Sequence, residues 1–296
     1  MISLRTYQYR VVDVFTESPF EGNPLAVFPH ALGLDDAAMQ KIAQELNLSE
    51  TVFVFPATRN GFAARIRIFT PTREMDFAGH PTVGASFVLL DDEIVPKQSE
   101  RFVLEENIGP VPIHVEQGVR PLIWLTTPAI EAGPTLDRRL CAEALGLAPE
   151  DLADAAPQRL SAGNPTVFVA LKDKETVDRA WLDMSGMKTI KATHPEPVCV
   201  FVFAATPQGA YSRMFAPEYG IVEDPATGSS TGPLAAYMVQ HNLVSGRAGT
   251  RFVSEQGTKM GRCSILHVHI RGERGADGID VGGYVTPLVR ADMQFD

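Results

Sequence analysis

The chain has 296 residues, of which 45% are hydrophobic and 21% charged, an ordinary globular composition with length enough for two domains. Its formal net charge of −10 argues against a nucleic-acid backbone or an anionic membrane as partner, because both call for a basic surface. The opening MISLRTYQYRVVDVF lacks the basic-then-apolar order of a secretion signal, and the longest clear apolar run, 198–205, is too short to span a bilayer, so a cytoplasmic protein is expected.

Along the chain, 7–14 and 25–28 read as strands. Residues 35–46 place Ala38, Met39, Ile42, Ala43 and Leu46 on one helical face, with Asp35 or Asp36 able to cap the start and Asn47 the end. Strands rich in aromatic and β-branched residues follow at 51–55 and 63–69. Residues 81–90 form a helix with almost no polar face, which marks it as buried. A linker is expected at 126–133, in the run TTPAIEAGP. The second half repeats the scheme and reaches its own apolar helix at 229–241. Strands at 251–254, 264–271 and 282–287 complete the chain.

Three short segments recur in the same order at an offset of roughly 140–150 residues. Gly22-Asn23-Pro24 returns as Gly163-Asn164-Pro165, and 65–71 returns as 211–217. Gly79-His80-Pro81 returns as Glu223-Asp224-Pro225, an alignment that pairs His80 with Asp224. A duplication follows. The expected fold is α+β, with two duplicated domains, 1–128 and 129–296. Each is a curled, mostly antiparallel sheet or barrel around its apolar helix, and the C-terminal strand is free to cross back to the first domain.

Cys141, Cys199 and Cys263 are widely spaced, with no CxxC or zinc-type cluster, and read as small buried hydrophobes. His267 and His269 share one face of a strand but lack an obvious third ligand.

The two loops before the apolar helices hold the candidate chemistry. Each combines glycines, which let a ligand approach the backbone, with titratable or hydroxyl side chains: Gly79 and His80 in one, Asp224, Gly228 and Ser229 in the other. Free amides and the positive dipole end at a helix start favour an anion such as a carboxylate or enolate. Two duplicated loops of this kind are expected to face one another across a domain cleft. Neither matches GxxxxGK[ST] or GxGxxG, so a nucleotide is not expected. Read singly, Asp224 is a helix cap, His80 a turn residue and Glu45 a solvated carboxylate.

The segments Glu45-Leu-Asn-Leu-Ser-Glu50-Thr51, Asp76-Phe-Ala-Gly-His80-Pro-Thr and Glu223-Asp224-Pro-Ala-Thr-Gly-Ser229 resemble the hallmark stretches of the phenazine-biosynthesis PhzF-like isomerases. Asp13-Val-Phe-Thr16, Gly22–Val27, Glu255-Gln-Gly257 and Gly282-Gly283 add to the likeness, which spans essentially the whole chain. The resemblance implies the fold shared with diaminopimelate epimerase and proline racemase, commonly as a homodimer. It also implies a proton-moving isomerase for a small unsaturated or amino carboxylic acid, working without metal or organic cofactor. Its catalytic residues fall on Glu45, His80 and Asp224, and its substrate-binding residues on Gly79, Gly228 and Ser229. A carboxylate shuttle fits the chemistry, since one group must take a C–H proton and return it. The sister racemases use two cysteines for this, and neither loop here holds one. The alternatives are an epimerase or lyase acting on a related acid, or a non-catalytic acid-binding protein.

Overall fold

A computed structural model describes residues 4–192, 196, 198–272 and 278–295. By its internal contacts the chain divides into two units, Met1–Thr126 with Gly282–Asp296, and Thr127–Val281.

The first unit opens with β1 (Arg5–Val14), β2 (Asn23–Phe28) and helix α1 (Asp36–Leu46). Asp35 accepts a hydrogen bond from the Ala38 amide and starts the helix, and Asn47, left-handed at φ 50, ends it. Met39, Ile42 and Ala43 are buried against Phe28, Phe53 and Phe69, so the expected stripe is the packed face. Next come β3 (Glu50–Phe55), β4 (Ala64–Phe69) and the short β5 (Glu74–Met75), then α2 (Gly79–Asp91) and the meander β6 (Arg101–Glu106), β7 (Gly109–Glu116) and β8 (Leu122–Thr126). Helix α2 lies against β1, β2, β3 and β8. A Cβ added at Gly84 would stand 2.6 Å from Leu25 Cδ2 and 2.8 Å from Val14 Cγ2, so any larger residue would have to displace these side chains.

The second unit contains β9 (Glu131–Thr135), α3 (Arg138–Ala144), β10 (Gln158–Ser161), β11 (Thr166–Leu171), α4 (Lys174–Arg179) and α5 (Met184–Lys191). It continues through β12 (Cys199–Thr206), β13 (Gly209–Ala216), β14 (Ile221–Asp224), α6 (Gly228–Gln240), β15 (Arg251–Gln256), β16 (Ser264–Ile270) and the first residues of β17 (Ile279–Gly283), whose last two belong to the first unit. The apolar run at 198–205 is a strand buried on both faces. Val200 and Val202 join the core under α3 and α5, whereas Phe201 and Phe203 join the core under α6.

The chain closes with β18 (Val285–Phe295), which pairs antiparallel along β1 in the first unit. One strand was expected at 282–287. Two strands occur there, broken at Tyr284, whose carbonyl accepts from the amides of Phe15 and Thr16.

Both units are mixed sheets with few helices, and the sheet curls without closing into a barrel. Most neighbours are antiparallel, and each unit has matching parallel pairs: β2–β3 and β4–β6 in the first, β11–β12 and β13–β15 in the second.

Candidate active site

In the first unit the chemistry gathers at the N-terminal ends of two parallel strands. Gly22 takes a positive φ of 66°, with Val14 O standing 2.3 Å from where its Cβ would be, and turns the chain so that Asn23 opens β2. Glu50 opens the neighbouring strand and sits opposite Leu25. His80, the second residue of α2, reaches both. Its Nδ1 accepts from the Asn23 amide nitrogen at 3.2 Å, and its Nε2 lies 3.3 Å from Glu50 Oε2. Because an amide NH₂ can only donate, the ring proton falls on Nε2, which lies near the Glu50 carboxylate without a hydrogen bond to it. The His80 and Glu50 side chains are 4% and 12% exposed. Burial pushes His80 down to about 3, so the ring is neutral at physiological pH.

Glu45 is not in this group. It lies on the exposed side of α1, away from the face that buries Met39 and Ile42, and the left-handed turn at Asn47 separates it from the strand. The carboxylate that the structure brings to His80 is Glu50. Both glutamates lie in one seven-residue segment. The signal that separates them is that Glu50 begins a strand at the edge already marked by Gly22-Asn23, whereas Glu45 falls on the polar side of a helical stripe.

The second unit repeats the frame with different side chains. Gly163 has a φ of 100° and precedes Asn164, whose amide donates to Ser229 Oγ at 3.2 Å. Ser230 and Thr166 share a hydrogen bond of 2.9 Å beneath it. Asp224, 5% exposed at the end of β14, accepts from the Thr227 hydroxyl. Gln256 ties this loop down, donating to Asp224 O at 2.8 Å and accepting from the Thr227 amide at 3.1 Å. The N-caps Ala78 and Thr227 make no side-chain cap bond at either helix start.

The internal repeat therefore has a different register at the loops from the one expected. Asn23 meets His80 as Asn164 meets Ser229, and Thr82 bonds the Ala78 carbonyl as Thr231 bonds that of Thr227. Ile68 pairs with Met75 as Met214 pairs with Asp224. His80 thus corresponds to Ser229, and Asp224 to Met75. The sequence match was drawn through two prolines, whereas the helix starts Gly79 and Gly228 set the true alignment. On the same frame Leu25 faces Glu50 as Thr166 faces Cys199, so a thiol occupies the position of the glutamate.

Beneath each loop lies the same ion pair. Arg67 grips Glu74 with Nε and Nη2 at 2.7 and 2.6 Å, and Arg213 grips Glu223 with the same nitrogens at 2.9 Å each. Both arginines also lie over an aromatic ring, Phe69 and Phe215. His267 and His269 share the half-exposed face of β16, and among the described residues no group of three or more His, Cys, Asp or Glu side chains could hold a metal. Cys141 and Cys199 are buried, and burial pushes the Cys141 thiol up to about 12.

The phenazine biosynthesis-like protein family model matches residues 12–289. The trans-2,3-dihydro-3-hydroxyanthranilate isomerase of Pseudomonas fluorescens is 34% identical over 272 residues, covering 90% of this chain and 91% of that one. An uncharacterized isomerase of Clostridium acetobutylicum is 33% identical over 282 residues, covering 90% and 91%. Among solved structures, a PhzF-family phenazine biosynthesis protein of Bacillus anthracis shares the fold, with a TM-score of 0.86 at 24% identity, covering 98% of this chain and 99% of that one. No helix among the described residues is long and apolar enough to cross a membrane. With the family model spanning nearly the whole chain, and the isomerases aligned over nine-tenths of it, the chain belongs to the phenazine biosynthesis-like, PhzF-type family of isomerases.

Proposed function

We propose that this protein is a proton-transferring isomerase of a small unsaturated or amino carboxylic acid, needing no metal or organic cofactor, with Glu50 as its proton shuttle. The observation that carries the reading is the buried contact between Glu50 Oε2 and His80 Nε2 at 3.3 Å. Glu50 is a largely buried carboxylate beside a neutral histidine ring, and a carboxylate so placed can take a C–H proton. The same carboxyl then returns the proton one or more carbons away along the conjugated system.

The remaining side chains fit the charge that such a transfer creates. Ser229 accepts from Asn164 through its oxygen, so its own hydroxyl hydrogen is available to a substrate carboxylate. The Gly79 and Gly228 amides, at the starts of α2 and α6, are each suited to an anion. Asp224, held by Thr227 and Gln256, supplies a second oriented carboxyl for an amino or hydroxyl group of the substrate. The P. fluorescens relative acts on trans-2,3-dihydro-3-hydroxyanthranilate, which has the required carboxylate, amine and unsaturation, and it serves as the first probe.

The test is incubation of the purified protein with that acid in D₂O, followed by NMR. Isomerisation with deuterium entering a carbon position, unchanged by a chelator, is expected. Tight binding without any carbon-bound exchange would make the protein a binder rather than a catalyst.

A further inference from the structure

Proton transfer as described leaves one buried carboxyl without a task. Glu106, at the end of β6, is 4% exposed. Its Oε1 lies 2.7 Å from Thr82 Oγ1, two residues beyond His80, and its Oε2 is buried with no hydrogen-bonding partner among the described residues. The Thr82 hydroxyl also lies 2.8 Å from the Ala78 carbonyl, at the start of α2.

One hydroxyl carries one hydrogen. If Glu106 were ionised, its charge would be buried with Oε2 unmet, and the Thr82 hydroxyl would be shared with the Ala78 carbonyl, which already accepts from the Thr82 amide at 3.2 Å. The second unit shows where the hydrogen goes, since the corresponding Thr231 donates to Thr227 O at 2.9 Å. A protonated Glu106 can donate to Thr82, leaving the Thr82 hydroxyl to donate to Ala78 as Thr231 does to Thr227.

The internal repeat supports this independently. Residues 101–106, Arg-Phe-Val-Leu-Glu-Glu, match 251–256, Arg-Phe-Val-Ser-Glu-Gln, and Glu106 falls on Gln256. Gln256 is a neutral side chain with one donating and one accepting end, and both ends fix the loop before α6. A protonated glutamic acid has the same shape and offers one donor and one acceptor.

We infer that Glu106 works as a neutral acid that fixes the start of α2, and with it Gly79 and His80, as Gln256 fixes the start of α6. It is a positioning residue for the proton transfer, and its role in turnover rests on the function proposed above. Burial pushes its carboxyl up to about 8, with the Thr82 contact opposing. The ionisable groups on the flanking segments are engaged elsewhere. Glu105 bonds Thr58 and has Arg59 and Arg65 nearby, and Glu74 bonds Arg67 and Asn107. His80 bonds Asn23, and Asp76 is exposed.

The experiment compares wild type, Glu106→Gln and Glu106→Ala. Carbon NMR of protein labelled at the glutamate carboxyls, assigned by the resonance missing in Glu106→Gln, is expected to show Glu106 protonated at pH 7 and titrating above it. Glu106→Gln should match the wild-type melting temperature and turnover at pH 6 and keep that turnover above pH 8, where wild type declines. Glu106→Ala should lose both. Titration of Glu106 with the exposed glutamates, or a Gln variant as impaired as the Ala variant, overturns the inference. If wild type turns over no acid, the functional reading falls, and the carboxyl titration and the pH dependence of melting still decide the state of Glu106.

Discussion

The two units are built on one frame and differ where the chemistry lies. Each has a left-handed glycine, an asparagine reaching the first turn of an apolar helix, a threonine bonded back to the N-cap carbonyl, and an arginine clamp beneath. On that frame His80 stands against Ser229, Glu50 against Cys199, Met75 against Asp224 and Glu106 against Gln256. The buried frame demands the same hydrogen bonds in both halves, because unmet polar groups there cost about 1–3 kcal/mol each. At the loops the first unit carries a carboxylate beside a histidine, and the second carries hydroxyl and amide groups with Asp224.

The arginine clamps allow the sharpest physical comparison. Arg213 and Glu223 are 5% and 10% exposed, and Arg213 also donates to the carbonyls of Val177, Asp178 and Ala180. Arg213→Ala strands a buried carboxylate and these carbonyls, and should cost about 3–5 kcal/mol in chemical denaturation.

His80 and Glu106 give pH dependences of opposite sign. His80 is neutral in the folded chain and takes a proton from about pH 6.5 downward once unfolded, so its contribution to stability falls as pH drops from about 6.5 to about 3. Glu106 is neutral when folded and ionised when unfolded between about 4.5 and about 8, so its contribution falls as pH rises through that window. Each slope is at most about 1.4 kcal/mol per pH unit. Melting curves of His80→Asn should lose the acid-side slope, and those of Glu106→Gln the alkaline one. Curves unchanged from wild type would mean that these groups are solvated.

The smallest effect is expected at the other clamp. Arg67 and Glu74 are 17% and 27% exposed, and the additional partner of Arg67, Asp36, is 82% exposed. The Arg67 bond holds Glu74 below the usual carboxylate range, a stabilisation present at neutral pH and lost in acid. With solvent screening, Arg67→Ala should cost about 1 kcal/mol or less. Equal losses at Arg67 and Arg213 would contradict the view that burial separates the two clamps.

Much of the fold is legible in the sequence. The two apolar helices, the Asp35 and Asn47 caps and the duplication follow from spacing and composition alone. No strand is expected from the sequence at 101–126, where the meander β6–β8 lies. Tyr284 is not a breaker by composition, and only its carbonyl bonds to the Phe15 and Thr16 amides mark the break between β17 and β18. His80, Gly79, Asp224, Gly228 and Ser229 stand out in the sequence by their loops. Two things do not. The choice of Glu50 over Glu45 depends on which strand edge meets α2, and the pairing of His80 with Ser229 depends on where the helices begin. Both are tertiary facts, and the attractive match of two prolines pointed elsewhere.

The measurement that tests the account most directly is deuterium exchange into trans-2,3-dihydro-3-hydroxyanthranilate by Glu50→Gln and Glu45→Gln, with melting curves as folding controls. The account predicts that Glu50→Gln, folded, loses about 10²–10⁴ in rate, the range for a removed general base, while Glu45→Gln exchanges like wild type. A folded Glu50→Gln variant with wild-type exchange, or a loss of exchange in Glu45→Gln alone, would contradict it.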